Sequence, residues 1–281
     1  MTNNALDLYN LRLAVLIDAE NVPRNCIKSV LEEVAIYGTP TIKRIYGDWT
    51  NPTVAGWKTS LLENAITPIQ QYGYTTGKNS SDSAMIIDAM DILYSEKTDG
   101  FVIVSSDSDF TRLAIRLREA GQRVIGIGER KTPSAFIAAC DKFTYIEVIR
   151  AGGEETHPEH DETQQGNDET KQENGDNDQK QNAQQRDKAS HTTRARGTKV
   201  PKSIIKLIAV SLADLAGDDG VVFMGELGNL IIKKKPDFDP RDFGFKSLSA
   251  MIKSIDRFEI DFRQTADPNI KHVFVRDKEA V

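Results

Sequence analysis

The chain has 281 residues, of which 39% are hydrophobic, and a formal net charge of −6. That length gives room for one large domain or two small ones, and the low hydrophobic share predicts that part of the chain does not fold. The acidity does not exclude a nucleic-acid partner, because local patches matter more than the total. Two cysteines, Cys26 and Cys140, are too few for a disulfide framework and lack partners at metal-ligand spacing, so they read as buried thiols in a reducing cytosol. Residues 1–10 are polar, and the apolar run 11–17 is broken by Arg12 and too short for a signal peptide or a span. No later run approaches spanning length, so the expectation is a cytoplasmic protein without membrane contact.

In chain order, residues 11–17 (LRLAVLI) form a nearly continuous apolar run that fits a strand buried on both faces of a parallel sheet. Pro23 suits a helix start, and Ile27, Val30, Leu31, Val34 and Ala35 recur at helical spacing up to Gly38. Residues 41–46 read as a second strand and 52–64 as a helix with Val54, Trp57, Leu61 and Leu62 near one face. Residues 66–72 read as a short strand that Pro68 assigns to a sheet edge. A polar loop, 73–81, leads to a helix opened by Asp82 with Met85, Ile86, Ala89, Met90 and Leu93 as its apolar stripe. Residues 101–105 form the central strand, followed by a helix from Thr111 that ends at Gly121. A strand at 123–128, a helix at 133–140 and a last strand at 144–149 complete the region. Strands alternating with helices predict a parallel sheet covered on both faces, with every strand-to-helix loop on one edge.

Residues 151–197 hold eleven acidic and six basic residues, almost no apolar ones, and three of the four histidines (His157, His160, His191). That composition cannot offset chain entropy by burial and reads as a disordered acidic linker. Globular patterning returns at 198–281. Helices are expected at 204–215, 224–232 and 247–255, with turns at Asp219-Gly220 and at Phe238-Asp239-Pro240. The alternating runs 258–262 and 272–276 make a β-hairpin. Three short helices and a two-stranded wing describe a winged helix-turn-helix.

The chemistry gathers at strand ends. Asp18 ends the first strand, Asp107 and Asp109 follow the central strand, and Asp82 opens the preceding helix. Open α/β sheets bind ligands at that edge. Four carboxylates there repel one another unless cations sit among them, and an all-oxygen set suits Mg²⁺ or Mn²⁺. Such ions activate a water in phosphodiester hydrolysis. Taken alone, Asp107 and Asp109 read equally well as helix caps.

The strings LIDAEN (16–21), GKNSSD (77–82), SSDSDF (105–110) and GIGERKTP (126–133) resemble the motifs of the NYN domain, and more narrowly the LabA-like, or DUF88, branch of the PIN-like nuclease superfamily. The resemblance covers about residues 10–150. It implies a PIN-like three-layer α/β sandwich and a metal-dependent ribonuclease whose acidic site maps onto Asp18, Asp82, Asp107 and Asp109. It also implies that Asn21 contacts a water or a phosphate. Residues 225–231 (GELGNLI) and 236–249 (PDFDPRDFGFKSLS) resemble the OST-HTH, or LOTUS, domain, which implies RNA binding or partner docking. The domain reading is therefore 1–150 nuclease, 151–197 linker, and 198–281 RNA-binding.

Other side chains have weaker claims. Lys78 lies in the loop before Asp82. Arg130 and Lys131 follow a strand at the same edge, and Lys233, Lys234 and Lys235 close a helix, so these five cations and Lys78 suit RNA phosphates. Trp49 can stack a base. Tyr46 and Trp57 read as core. Asp88 and Asp91 read as a solvated helix face. Gly126 and Gly128 do not make a dinucleotide fingerprint, and no Walker motif is present. The expected function is hydrolysis of RNA, single-stranded by preference, with the C-terminal domain holding it. Two alternatives stay open: a non-catalytic RNA-binding adaptor, and a metal-dependent phosphatase of small esters. A protein partner at the C-terminal domain and a homo-oligomer also stay open.

Overall fold

Strand β1 (Arg12–Asp18) has six of its seven residues buried. A strand can be apolar on both faces only inside a sheet covered on both sides. The computed structural model describes residues 11–72, 80–153, 200–217, 219–264 and 271–280, and in it β1 lies at the middle of a six-stranded sheet. The other strands are β2 (Thr39–Gly47), β3 (Thr67–Gln70), β4 (Gly100–Val104), β5 (Arg123–Gly128) and β6 (Lys142–Tyr145). The order is β3-β2-β1-β4-β5-β6, and every pairing is parallel.

Alternate residues supply opposite faces. Leu13, Val15 and Ile17 join Val102, Val104, Ile125 and Ile127 in one core layer. Helix α1 (Ile27–Tyr37), helix α2 (Lys58–Glu63) with the 3-10 stretch before it, and helix α6 (Ile146–Gly153) cover that layer through Val30, Val34, Trp57, Leu61 and Ile149. Ala14 and Leu16 face the other way with Phe101 and Ile103. That layer is covered by α3 (Ser80–Tyr94), α4 (Thr111–Glu119) and α5 (Ser134–Ala139) through Met85, Ala89, Leu113, Leu117 and Phe136. Each fully buried aliphatic side chain contributes roughly 1.5–3 kcal/mol. The result is the three-layer α/β sandwich that the alternation of elements predicts.

The C-terminal residues form α7 (Lys202–Leu215), β7 (Val221–Phe223), α8 (Met224–Lys234), α9 (Leu248–Lys253), β8 (Phe258–Gln264) and β9 (Lys271–Asp277). The expected hairpin is present, with Ile260 opposite Val275 and Phe262 opposite Val273. Its solvent-to-core alternation places Val275 in a core with Ile204, Ile208, Leu227, Ile231 and Met251. Strand β7, too short to read from the pattern, adds to β9 to give the sheet order β7-β9-β8. Asp219-Gly220 makes the turn before it, with Gly220 at φ 66°.

Three expectations change. Residues 144–149 do not form one strand: β6 ends at Tyr145 and α6 begins at Ile146. Ile146 and Ile149 are one helical turn apart and both enter the core layer beneath α1. Leu62 is exposed, whereas Val54, Trp57 and Leu61 are buried. Asp88 is not on a solvated face, because it accepts hydrogen bonds from Arg44 and from the Tyr46 hydroxyl and so ties α3 to β2. Asp91 is exposed, as expected. Cys26 and Cys140 are buried and free, and burial pushes their thiols up to about 11 and about 12. Residues 151–153 of the segment read as a linker belong to α6, and residues 154–197 and Lys78 lie outside the described residues. Among the described residues no helix is long and apolar enough to cross a membrane.

Asp88→Ala should cost about 1–3 kcal/mol in urea unfolding, since it strands a buried hydroxyl and a guanidinium. Asp91→Ala should stay within about 0.5 kcal/mol of the wild type in the same measurement.

Candidate metal centre

The sheet order reverses between β1 and β4, which are neighbours in the sheet although far apart in sequence. A reversal opens a crevice beyond the carboxyl ends of the two strands, because their following helices leave on opposite faces. Here α1 lies on one core layer and α4 on the other. The carboxylates stand at this crevice.

Carboxylate oxygens of Asp82, Asp107 and Asp109 come within 4.8 Å of one another. Asp82 is in the first turn of α3 and is buried. Asp107 is half-buried, and Asp109 is exposed. Asp107, not Asp109, is the cap of the 3-10 turn that enters α4: its side chain accepts from the Asp109 backbone N–H at 2.9 Å. Capping and metal ligation are therefore compatible, since one carboxylate offers several acceptor sites.

Asp18 lies outside that triad. Its Oδ1 accepts from the Glu20 backbone N–H at 3.0 Å. Its Oδ2 accepts from Asn21 Nδ2 at 2.7 Å and from Ser105 Oγ at 2.8 Å. Ser105 Oγ in turn accepts the Asp107 backbone N–H at 3.1 Å. A buried serine thus links the end of β1 to the loop that carries Asp107. Ser106 Oγ accepts from the Glu129 backbone N–H at 2.8 Å and joins the β5 loop to the same edge. Neither serine stood out in the sequence, where Ser105 reads as the end of the central strand and Ser106 as an ordinary loop residue. Gly128 lets β5 finish against this loop, because a Cβ there would sit 2.6 Å from the Ser105 carbonyl oxygen.

Burial raises the Asp18 carboxyl, and the hydrogen bonds from Asn21, Ser105 and Glu20 hold it back. The Asp82 carboxyl is pushed up to about 6, first by burial and then by repulsion from Asp18, Asp107, Asp109 and Glu20. An all-carboxylate set under such repulsion fits a hard divalent cation, whose charge offsets the cost of gathering the acids.

The other candidate residues separate clearly. Asn21 is at the crevice, holding Asp18. The Trp49 indole is anchored, its Nε1–H donating to the Ile69 carbonyl at 2.9 Å, and the ring packs partly buried against the core. That orientation is one of packing, and it leaves little of the ring for stacking a base. Arg130 pairs with Asp242 of the C-terminal residues and lies 5.1 Å over the Tyr145 ring. Lys131 is exposed and pairs with Glu129 at 2.5 Å. Lys234 pairs with Asp214 at 2.5 Å and Lys235 with Asp237 at 2.7 Å. Lys233 is exposed at the end of α8.

The pattern of the NYN domain matches residues 12–147, and that of the OST-HTH/LOTUS domain matches residues 198–270. A search of curated proteins found no match. Among solved structures, a Vibrio parahaemolyticus protein of unknown function is similar at 19% identity, covering 52% of this chain and 96% of its own, with a TM-score of 0.43. An uncharacterised Nitrosomonas europaea protein is 29% identical over 35% of this chain and 94% of its own, with a TM-score of 0.28. A Chromobacterium violaceum protein is 24% identical over 30% of this chain and 87% of its own, with a TM-score of 0.24.

Asp82 binds its proton more tightly in the folded chain than in the unfolded one, so its charge opposes folding above about pH 6, and the opposition fades as pH falls toward 3.8. Asp82→Asn should therefore melt higher than the wild type at pH 7.5 in chelator, and the gain should shrink toward pH 4.5. Adding Mn²⁺ should raise the melting temperature of the wild type more than that of the variant.

Proposed function

From a chain that carries an NYN domain followed by an OST-HTH/LOTUS domain, we propose a metal-dependent ribonuclease of the LabA-like branch that cuts single-stranded RNA. NYN domains are nucleases, and OST-HTH domains bind RNA. The observation that carries the reading is the convergence of Asp82, Asp107 and Asp109 at the crevice between β1 and β4. Three carboxylates without a histidine or thiol partner suit Mg²⁺ or Mn²⁺ better than Zn²⁺.

When bound, such an ion supplies Lewis-acid activation of water and countercharge for phosphate oxygens. The chain supplies the rest. Asp82, Asp107 and Asp109 would hold the ion, with Asp82 set by the first turn of α3 and the other two by the capped turn before α4. Asp18 acts from behind them: it holds Ser105, which fixes the Asp107 backbone, and it holds the Asn21 amide at the crevice. Lys131 and Lys233 are the cations placed to meet the RNA backbone, and their contribution is salt-sensitive.

Asp107→Asn keeps a cap of equal quality, so the fold should persist with an undiminished melting temperature. Mn²⁺-dependent cleavage of labelled single-stranded RNA should disappear. Equal cleavage by the variant would sink the nuclease reading. RNA binding without cleavage by the wild type points to an adaptor, and phosphate release from small esters without RNA cleavage points to a phosphatase. In a separate titration, Lys233→Ala should weaken RNA binding and reduce the slope of log K against log salt by about 0.7. An unchanged slope would remove Lys233 from the RNA contact.

A further inference from the structure

The face of the NYN domain built by α1, β6 and the start of α6 carries polar groups that its own residues leave incomplete. Glu33 on α1 is 5% exposed. It accepts one hydrogen bond from its neighbour Tyr37 at 3.0 Å. Its carboxylate receives a two-pronged contact from Arg241 of the other domain at 2.8 and 2.9 Å, with the Lys142 charge nearby. Lys142 on β6 is 6% exposed. Among the described residues, its ammonium donates to the Phe238 carbonyl at 2.8 Å and to nothing else. The Tyr145 hydroxyl donates to Asp237 at 2.8 Å. The outer edge of β6 is closed by the Phe143 N–H, which donates to the Pro236 carbonyl at 2.9 Å.

All these partners come from one stretch, Pro236 to Asp242. We propose that this face is a docking site for that turn of the same chain, so that the two domains form one body whose association does not depend on the segment joining them. The proposal does not rest on the nuclease reading.

Charge order along the turn supports it. Asp237, Lys142 with the nearby Asp239, Arg241 with Glu33, and Asp242 with Arg130 meet in sequence, each against a group of opposite sign or a donor. Sliding the turn by two residues would set Asp239 against Glu33. Like-charge contacts of that kind reject a wrong register. The turn is also built to be presented. Asp239 caps it, accepting from the Arg241 backbone N–H at 2.9 Å, Pro240 starts its 3-10 stretch, and Gly244 ends it at φ 78°. The Asp239 carboxylate braces the Arg241 guanidinium at 2.7 Å, which fixes the fork that Glu33 receives. Burial pushes the Asp239 carboxyl up, but the bonds from Arg241 outweigh it and leave it below the usual range. The strand edge, a feature that invites pairing with foreign chains, is covered in the same act.

The docking has a functional consequence. Arg130 follows β5 at the carboxyl edge, so its pairing with Asp242 brings the C-terminal domain to the carboxyl end of β5. Arg130 and Lys235 are then committed to holding the turn rather than RNA.

A protease site placed at residue 175 of the full-length protein and cut after folding tests this. The two halves should stay together in gel filtration at micromolar concentration, with the mass of a single chain. Arg241→Ala, or independently Glu33→Ala on the other domain, should weaken that association by roughly 30-fold or more, as for truncation of one partner of a buried charge pair. The separated halves should keep their far-UV circular dichroism, which excludes unfolding as the cause. Halves of the wild type that part on cutting overturn the docking. Variants that hold together as firmly as the wild type overturn the role of the clamp. A species of twice the mass, with halves exchanged between chains, overturns the same-chain assignment.

Discussion

A buried hydrogen bond between Ser105 Oγ and Asp18 Oδ2 ties together the ends of the two central strands. Everything at the carboxyl edge depends on it. β1 and β4 pair in parallel up to Ile17 and Val104, and beyond that point the backbone ladder stops. The serine continues the connection with a side chain. It also accepts the Asp107 N–H and so sets the direction in which the next loop leaves. Asp18, outside the acidic cluster and with both oxygens engaged, thus does the positioning, while Asp82, Asp107 and Asp109 gather their carboxylates together. A charge buried this deeply is tolerated because three donors satisfy it.

The same edge shows a conflict between folding and chemistry. Asp82, Asp107 and Asp109 are brought together by a sheet whose strands and helices have strong reasons of their own to form. The core under them holds Leu16, Phe101, Ile103 and Phe110, all fully buried. The carboxylates do not help that core; burial and mutual repulsion act against the charge of Asp82. A folded scaffold can hold such a cluster because the apolar layers contribute far more than the repulsion costs. The cluster is therefore stressed where a cation would relieve it, a common mark of a site kept for function.

Cations are distributed with equal economy. Arg44, Arg130, Lys234, Lys235 and Arg241 all have carboxylate partners, and several of those pairings join elements or domains. Near the carboxyl edge, Lys131 pairs with Glu129, and Arg112 at the start of α4 is exposed. The C-terminal domain reaches the same end of the sheet through the pairing of Asp242 with Arg130.

Much of this was legible in the sequence, for identifiable reasons. Continuous apolar runs marked β1, β4 and β5 because strands buried on both faces leave no polar position. Carboxylates directly after such runs marked the edge where Asp18, Asp107 and Asp109 stand. Local patterns failed where two periods fitted one stretch, as at 144–149, where Ile146, Val148 and Ile149 satisfy a strand or a helix. They failed again for Asp88, whose helical angle from Asp82 correctly turned it away from the crevice but said nothing of β2 lying on that side. Pairings such as Glu33 with Arg241 join residues 208 positions apart and leave no trace in either segment. The sequence by itself determined most of the strands and helices, and which carboxylates end them, because those follow from side chains a few residues apart. Only the tertiary structure decided that Asp18 lies outside the cluster of Asp82, Asp107 and Asp109 and that Arg130 turns toward Asp242, because each is set by how distant strands and domains pack.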